Sequence, residues 1–185
     1  MRHSLAALAI GASLALGACS KSPENPVGGP AASTDAATGN LPAAVAGAQG
    51  MSTVSKALTS TGLAGIFDGR GSYTLIAPTD AAFAKLGEPG AALLEPEQKP
   101  ALAATLRDHI VPGVLTTTDI AKAIDLSSNK AVKMRTMGSG ELTFRKVEGG
   151  VQVTASDGST AMLAGPELRG QGSLAIPADA VLRKL

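Results

Sequence analysis

Cysteine and aromatic side chains are scarce in this chain. Its 185 residues include one cysteine, no tryptophan, one tyrosine and three phenylalanines. The single cysteine, Cys19, excludes an internal disulfide, so the folded part must owe its stability to a packed core. So few aromatic residues also leave no aromatic hot-spot cluster of the kind that anchors many protein interfaces. The sequence therefore leaves the oligomeric state open.

Net charge and catalytic motifs are lacking as well. The chain has 16 basic and 15 acidic side chains, so it exerts no global electrostatic attraction on nucleic acid, and we predict no nucleic-acid partner. It contains no phosphate-binding glycine loop, paired-cysteine ligand set or nucleophile elbow. We therefore predict no metal, no cofactor and no enzymatic activity.

The first residues have the layout of a signal peptide. Arg2 and His3 precede an apolar run over residues 5–16, which is too short for a membrane span of about 20 apolar residues. Residues 16–19 read Leu-Gly-Ala-Cys and resemble the bacterial lipobox, in which the cysteine takes a diacylglyceryl group and, after cleavage, an N-acyl chain. We predict a signal peptide over residues 1–18 and a lipid anchor on Cys19. An ordinary signal peptide cut elsewhere is the alternative.

A linker separates this leader from the folded part. Residues 19–40 are rich in proline and small residues, which predicts a flexible lipidated tether of about 20 residues. Residues 41–185 have the usual size of one domain. Ser20 stands where an aspartate retains enteric lipoproteins in the inner membrane, so the resemblance implies a protein of the outer membrane that faces the periplasm or the surface.

Apolar periodicity divides the domain into two halves. Helical spacing predicts helices over 41–48 and 54–61, a third helix after a β-prone run at 73–77, and a fourth that starts at Pro100 and carries Ile110 on its apolar face. The second half alternates apolar and polar residues, which predicts an antiparallel meander of strands joined by tight turns. Its strands lie near residues 132–135, 142–145, 151–155 and 160–164.

Three segments resemble the signatures of fasciclin-like domains. Residues 73–86, with the sequence YTLIAPTDAAFAKL, match the first signature closely. Residues 106–115 resemble the central segment, in which His109 is kept and Asp108 replaces the usual tyrosine. Residues 171–182 resemble the third signature more weakly.

The weak third match departs from the family in two ways. Its usual histidine falls on Ala175 or Ile176, depending on the end from which the segment is counted. Pro177 cannot donate a backbone hydrogen bond, so we expect a break in the strand there.

The resemblance implies an α+β fold in which N-terminal helices pack on a wedge of strands that ends in an antiparallel meander. Fasciclin-like domains are mostly extracellular adhesion or matrix-binding modules without known catalysis. The resemblance therefore implies a binding module tethered to the membrane of the cell envelope, with a protein or polysaccharide partner. A small-ligand-binding or hydrolytic envelope protein that uses the region of His109 is the alternative.

The motif residues also have local structural explanations. His109 is the only histidine after residue 18, so it has no second histidine for a metal site, and its helical neighbour Asp108 points elsewhere. We expect His109 near a helix end, bonded to the backbone and favoured by the helix dipole. Within the first signature we expect Thr79 to cap a helix, Asp80 to stabilise its first turn, and Phe83 to be structural.

Two groups of residues are candidates for partner binding. The first is a basic face, formed if the strands pair, which would suit an anionic glycan; a solvated sheet face is the alternative. Its members are Lys130, Lys133, Arg135, Arg145 and Lys146. The second group is Glu167 and Leu168, which occupy the place of an acidic-aliphatic adhesion pair in several animal members of the family.

Overall fold

The computed structural model describes residues 39–184 of the chain. The predicted signal peptide, Cys19 and nearly all of the predicted tether lie outside the described residues. Within the described range, no helix has the length and apolar character needed to cross a membrane.

Helices occupy most of the first half of the described range. They are α1 (Leu41–Gly47), α2 (Ser52–Ser60), α3 (Asp80–Ala84), α4 (Gly87–Leu93), α5 (Lys99–Asp108) and α6 (Thr117–Leu126), with short 3-10 helices at Leu63–Asp68 and Pro96–Gln98. The sequence predicts α1, α2, α3 and α5, whereas α4 and α6 are not predicted.

Side-chain caps fix where the helices begin. The Asn40 side chain accepts a hydrogen bond from the Ala43 N–H over 3.1 Å at the start of α1. A reciprocal capping box joins Thr116 and Asp119 at the start of α6, because each side chain accepts from the backbone N–H of the other residue. Gly62 takes a left-handed conformation (φ 74°) just after α2, which only glycine adopts without steric cost.

The strands form two sheets of four. They are β1 (Tyr73–Pro78), β2 (Ile110–Pro112), β3 (Ala131–Arg135), β4 (Glu141–Val147), β5 (Gly150–Ala155), β6 (Thr160–Met162), β7 (Leu168–Gly170) and β8 (Ser173–Ala178). The first sheet has the order β2-β1-β8-β7, and the second has the order β3-β4-β5-β6. In the first sheet β8 runs parallel to β1, with Tyr73 opposite Ser173 and Pro78 opposite Ala178.

Two sequence predictions about the first sheet are wrong. Ile110 does not extend α5 but begins β2, where it pairs with Leu75 of β1. Pro177 does not break the final strand, because β7 pairs with β8 only as far as Ala175, so no strand on that side needs an N–H from residue 177. The carbonyl of Pro177 still accepts from the Ala164 N–H over 2.9 Å.

The second sheet is the predicted meander. Antiparallel pairing places Phe144 of β4 between Val132 of β3 and Val153 of β5. The prediction that the meander ends the fold is incomplete, since β7 and β8 follow it and return to the first sheet.

The first sheet is buried on both faces. Leu75 and Ala77 of β1 belong to one apolar cluster with helices α1, α2 and α5, while Ile76 belongs to a second cluster with α6 and the second sheet. Burial on both faces explains why β1 is a continuous apolar run instead of an alternating one. Helices, first sheet and second sheet together confirm the predicted α+β class.

Candidate functional site

His109 is fully buried at the end of α5 and uses both ring nitrogens. The Leu182 N–H donates to Nε2 over 2.9 Å, and Nδ1 lies 2.8 Å from the carbonyl oxygen of Thr105. Because Nε2 accepts a hydrogen bond, the ring proton is on Nδ1 and is donated to Thr105. The ring therefore joins the end of α5 to the chain segment that follows β8.

The environment of His109 keeps its ring neutral. Burial lowers its pKa from the ordinary value of 6.5, and this effect exceeds the opposing effects of the Thr105 hydrogen bond and of the charges on Asp108 and Asp157. His109 lies at a helix end and bonds to the backbone, as expected, but a neutral ring gains no stabilisation from the helix dipole. A buried ring with both nitrogens engaged cannot act as a base on a substrate that arrives from solvent.

Asp108 faces away from His109, as its place on the helix predicts. Its Oδ1 accepts from the Gly140 N–H over 3.3 Å and lies 3.2 Å from the hydroxyl of Thr136. A Cβ added at Gly138 would overlap the same carboxylate, so the turn between β3 and β4 approaches Asp108 as closely as glycine allows. Asp108 thus holds this turn in place.

The first-signature residues stabilise helices. The Thr79 hydroxyl accepts from the Ala82 N–H over 3.2 Å and caps α3, as the sequence predicts. Asp80 does more than stabilise its own helix: its carboxylate accepts from the N–H of Thr53 over 2.7 Å and from the N–H and hydroxyl of Ser52, so it caps α2. Phe83 is buried in the core.

Alternation along the second sheet gives it one apolar and one polar face. Leu142, Phe144, Val151 and Val153 are buried against the core, so their neighbours along each strand point the other way. We call this other side the outer face. Its exposed and half-buried side chains are Lys133, Arg135, Glu141, Thr143, Arg145, Val147, Gln152, Thr154, Thr160 and Met162.

The register of the strands places residues of the outer face opposite one another, in rows across the sheet. Lys133 is opposite Thr143, which is opposite Thr154, which in turn is opposite Thr160. Such neighbours lie about 5 Å apart in an antiparallel sheet. The outer face is therefore a hydroxyl-rich surface with cations at one side.

The predicted basic face is only partly assembled. Lys133, Arg135 and Arg145 share the outer face, where Lys133 forms an ion pair with Glu141 over 2.9 Å. Lys146 alternates to the opposite side and contacts Asp125 of α6.

The fifth basic residue also lies apart from the outer face. Lys130 precedes β3 and donates to the carbonyl oxygen of Asp125 over 2.7 Å. Neither Arg135 nor Arg145 forms an ion pair with any residue of the described range. The set predicted from the sequence thus reduces to three cations and one carboxylate on one surface.

Glu167 and Leu168 have structural contacts of their own. The Glu167 carboxylate accepts from the Thr117 N–H over 2.6 Å at the start of α6 and also pairs with Arg169 over 3.1 Å. Leu168 is half-buried in β7 and packs on the helical core cluster.

The structure also reveals a cleft that the sequence does not predict. It has a volume of about 380 Å³ and lies between the end of α5, the β3–β4 turn, the β5–β6 turn and the segment after β8. Polar side chains on its walls include Asp108, Ser139, Asp157, Arg183 and Lys184. These residues come from four separate parts of the chain, and no sequence spacing brings them together.

Comparison with known proteins gives a consistent result. The sequence profile of the Fasciclin domain matches residues 49–171. An uncharacterized protein of Synechocystis sp. is 36% identical over 77 residues, which cover 42% of this chain and 57% of that protein. A FAS1 domain pair from the insect cell adhesion molecule fasciclin I shares the fold with a TM-score of 0.69 at 16% identity, over 80% of this chain and 52% of that one.

The chain thus spans little more than half the length of each of these two proteins. The structural likeness concerns the fold alone, whereas the profile match covers most of the residues that carry the helices, the meander and the first two signatures. Family resemblance and fold, both predicted from the sequence, are confirmed together. The chain belongs to the fasciclin domain family.

Proposed function

We propose that this protein is a non-catalytic adhesion module of the bacterial cell envelope, held on a membrane by a lipid on Cys19 and bound to an anionic polysaccharide through the outer face. The observation that supports it most is the composition of that face. Three cations, Lys133, Arg135 and Arg145, accompany one carboxylate, Glu141, on a surface that also presents hydroxyl and amide groups. Such a surface attracts an extended polyanion and hydrogen-bonds to its sugar rings.

The state of His109 supports the non-catalytic part of the proposal. It is the only histidine after residue 18, and its ring is buried, neutral and bonded at both nitrogens. Hydrolysis would need a base within hydrogen-bond reach of the substrate, and His109 does not meet that requirement.

Binding to an acidic polysaccharide, measured with immobilised polygalacturonate at several salt concentrations, tests the adhesion surface. The double variant Arg135→Gln and Arg145→Gln should bind about tenfold more weakly, because two charge-assisted contacts are lost, and its affinity should depend less on salt. Lys56→Gln with Lys99→Gln is the matched control, since both lysines are exposed on helices and the net charge changes equally. Equal loss in both double variants would show that only overall charge matters and would refute the outer face as the site.

Membrane fractionation tests the anchor separately. Cys19→Ser should leave the protein folded but move it from the membrane fraction to the soluble fraction, and cells should lose adhesion. Full adhesion by the released protein would show that the lipid is incidental.

A further inference from the structure

We propose that the cleft beside Asp108 binds an acidic sugar, that is, a saccharide unit with a carboxylate on its ring. This inference rests on the proposed function and deepens it, since the sugar would be one unit of the anionic polysaccharide. The cations of the cleft, Arg183 and Lys184, lie outside the outer face.

The hydrogen bonds of the cleft show which of its groups are open to a ligand. Asp157 is occupied, since Oδ1 accepts from the N–H and hydroxyl of Ser159 and Oδ2 accepts from the Lys184 N–H over 2.7 Å. Ser156 is occupied as well, because its hydroxyl accepts from the Glu141 N–H and donates to the Glu141 carbonyl. These residues shape the cleft and have little capacity left for a ligand.

Four polar groups have no such partners. The Oδ2 atom of Asp108, the hydroxyl of Ser139, the guanidinium of Arg183 and the ammonium of Lys184 form no hydrogen bond or ion pair within the described range. Asp108 is held rigidly through its other oxygen by Gly140, so Oδ2 is a fixed acceptor. Three carboxylates, Asp108, Glu141 and Asp157, and two cations, Arg183 and Lys184, line the cleft. Glu141 is paired with Lys133, and Asp157 is satisfied by its hydrogen bonds. The groups left for a ligand are therefore one carboxylate oxygen, one hydroxyl and two cations.

This combination selects among ligand classes. A simple anion would pair with Arg183 and Lys184 but would be repelled by Asp108. A simple cation would pair with Asp108 but would be repelled by Arg183 and Lys184. A sugar acid has an anionic group and hydrogen-bond donors in one small molecule. Its carboxylate would pair with the cations, and its ring hydroxyls would donate to Asp108. Between them lies Ala155, a half-buried apolar side chain on which the C–H face of a sugar ring can pack.

Size and continuity agree with this assignment. The volume of about 380 Å³ lies within the range of small-ligand sites, roughly 300–1,000 Å³. A second depression of about 400 Å³ shares Thr136, Ser139, Gly140 and Glu141 with the cleft and continues to Arg135. Arg135 belongs to the outer face, so one polysaccharide chain can follow the cations of that face and place a sugar in the cleft.

Calorimetric titration of the full-length protein with trigalacturonate tests the inference, with the amide resonances of Ser139 and Gly140 as a second readout. Asp108→Asn should weaken binding about tenfold, because it loses the charged acceptor while keeping the oxygen that holds the β3–β4 turn. Arg183→Gln with Lys184→Gln should weaken it similarly. Glu97→Gln, an exposed acid on the helical side, is the matched control and should change nothing.

Neutral galactose trimer and free glutamate, tested in the same way, define the chemistry. Both should bind at least about tenfold more weakly than trigalacturonate, since each lacks either the carboxylate or the ring hydroxyls. Equal binding of either, or normal binding by Asp108→Asn, would overturn the inference.

The outcomes also separate this inference from the adhesion proposal. If polygalacturonate binding depends on Arg135 and Arg145 while trigalacturonate does not perturb the cleft, the inference fails and the adhesion surface stands. If trigalacturonate binds in an Asp108-dependent way while the polymer ignores Arg135 and Arg145, the adhesion surface fails and the cleft stands.

Discussion

Leu182 donates its backbone N–H to the Nε2 atom of His109 across 2.9 Å, although the two residues are 73 positions apart. The bond closes the fold, because it attaches the segment after the last strand to the end of α5. The fasciclin-like signature alone suggests that this histidine is a functional residue. Here its contacts make it a structural residue of the core.

Replacement of His109 should therefore destabilise the protein. His109→Ala removes a fully buried ring and leaves the Leu182 N–H and the Thr105 carbonyl without their partner, which should lower the free energy of unfolding by about 3 kcal/mol. Urea denaturation measures this loss, and hydrogen exchange at the Leu182 amide should become faster. Thr160→Ala on the exposed outer face is the control and should change stability by less than about 0.5 kcal/mol. A stable but inactive His109→Ala protein would favour the hydrolytic alternative.

Acid should destabilise the protein through the same histidine. The folded pKa of His109 lies below its ordinary value of 6.5 because the ring is buried, so below that pH the unfolded chain takes up a proton that the folded chain refuses. The contribution of the neutral histidine to the free energy of unfolding is present above about pH 6.5. It is lost toward lower pH, by up to about 1.4 kcal/mol per pH unit. Denaturation of His109→Gln between pH 7 and pH 5 should show a much flatter dependence. An equally steep curve in that variant would assign the effect to other groups.

Loss of the Asp80 carboxylate should loosen α2 more than α3. Burial opposes ionisation of Asp80, but hydrogen bonds from Thr53 and Ser52 outweigh it and lower the pKa of the carboxyl below the ordinary 3.8. Asp80→Ala should cost about 1–2 kcal/mol, as for other helix caps, and should accelerate amide exchange at Thr53. Thr79→Ala is the comparison variant, since it removes only the cap of α3. If Asp80 acted only within its own first turn, exchange at Thr53 would not change.

Gly170 should tolerate no side chain. A Cβ added there would overlap the backbone of Leu41, where β7 meets the start of α1. Gly170→Ala should lower the unfolding free energy by about 2–3 kcal/mol, because neither backbone can move without disrupting its element. Gly65→Ala is the control: nothing lies within 4 Å of its added Cβ, and its φ is not positive. That variant should be neutral or more stable by up to about 1 kcal/mol.

Whether a basic residue belongs to the candidate site depends on the face of its strand from which the side chain projects. The alternation of apolar and polar residues determines that Lys133 and Arg145 face away from the core. The same alternation places Lys146 on the other side, and only the packing of α6 against the sheet shows that Asp125 meets it there. A charge count along the sequence cannot separate these cases, because it ignores the direction of each side chain.

Elements whose signals are local could be predicted from the sequence. Helical spacing, the Thr79 cap, the strands of the meander and the first fasciclin signature depend on residues a few positions apart, where backbone geometry restricts the choices.

Tertiary structure alone decided the features that join distant parts of the chain. Among them are the parallel pairing of β1 with β8, the hydrogen bond from Leu182 to His109, the cap that Asp80 provides for α2, and the cleft beside Asp108. These contacts form only when the whole core packs, because burial and strand pairing stabilise them cooperatively. No single segment of the sequence specifies them.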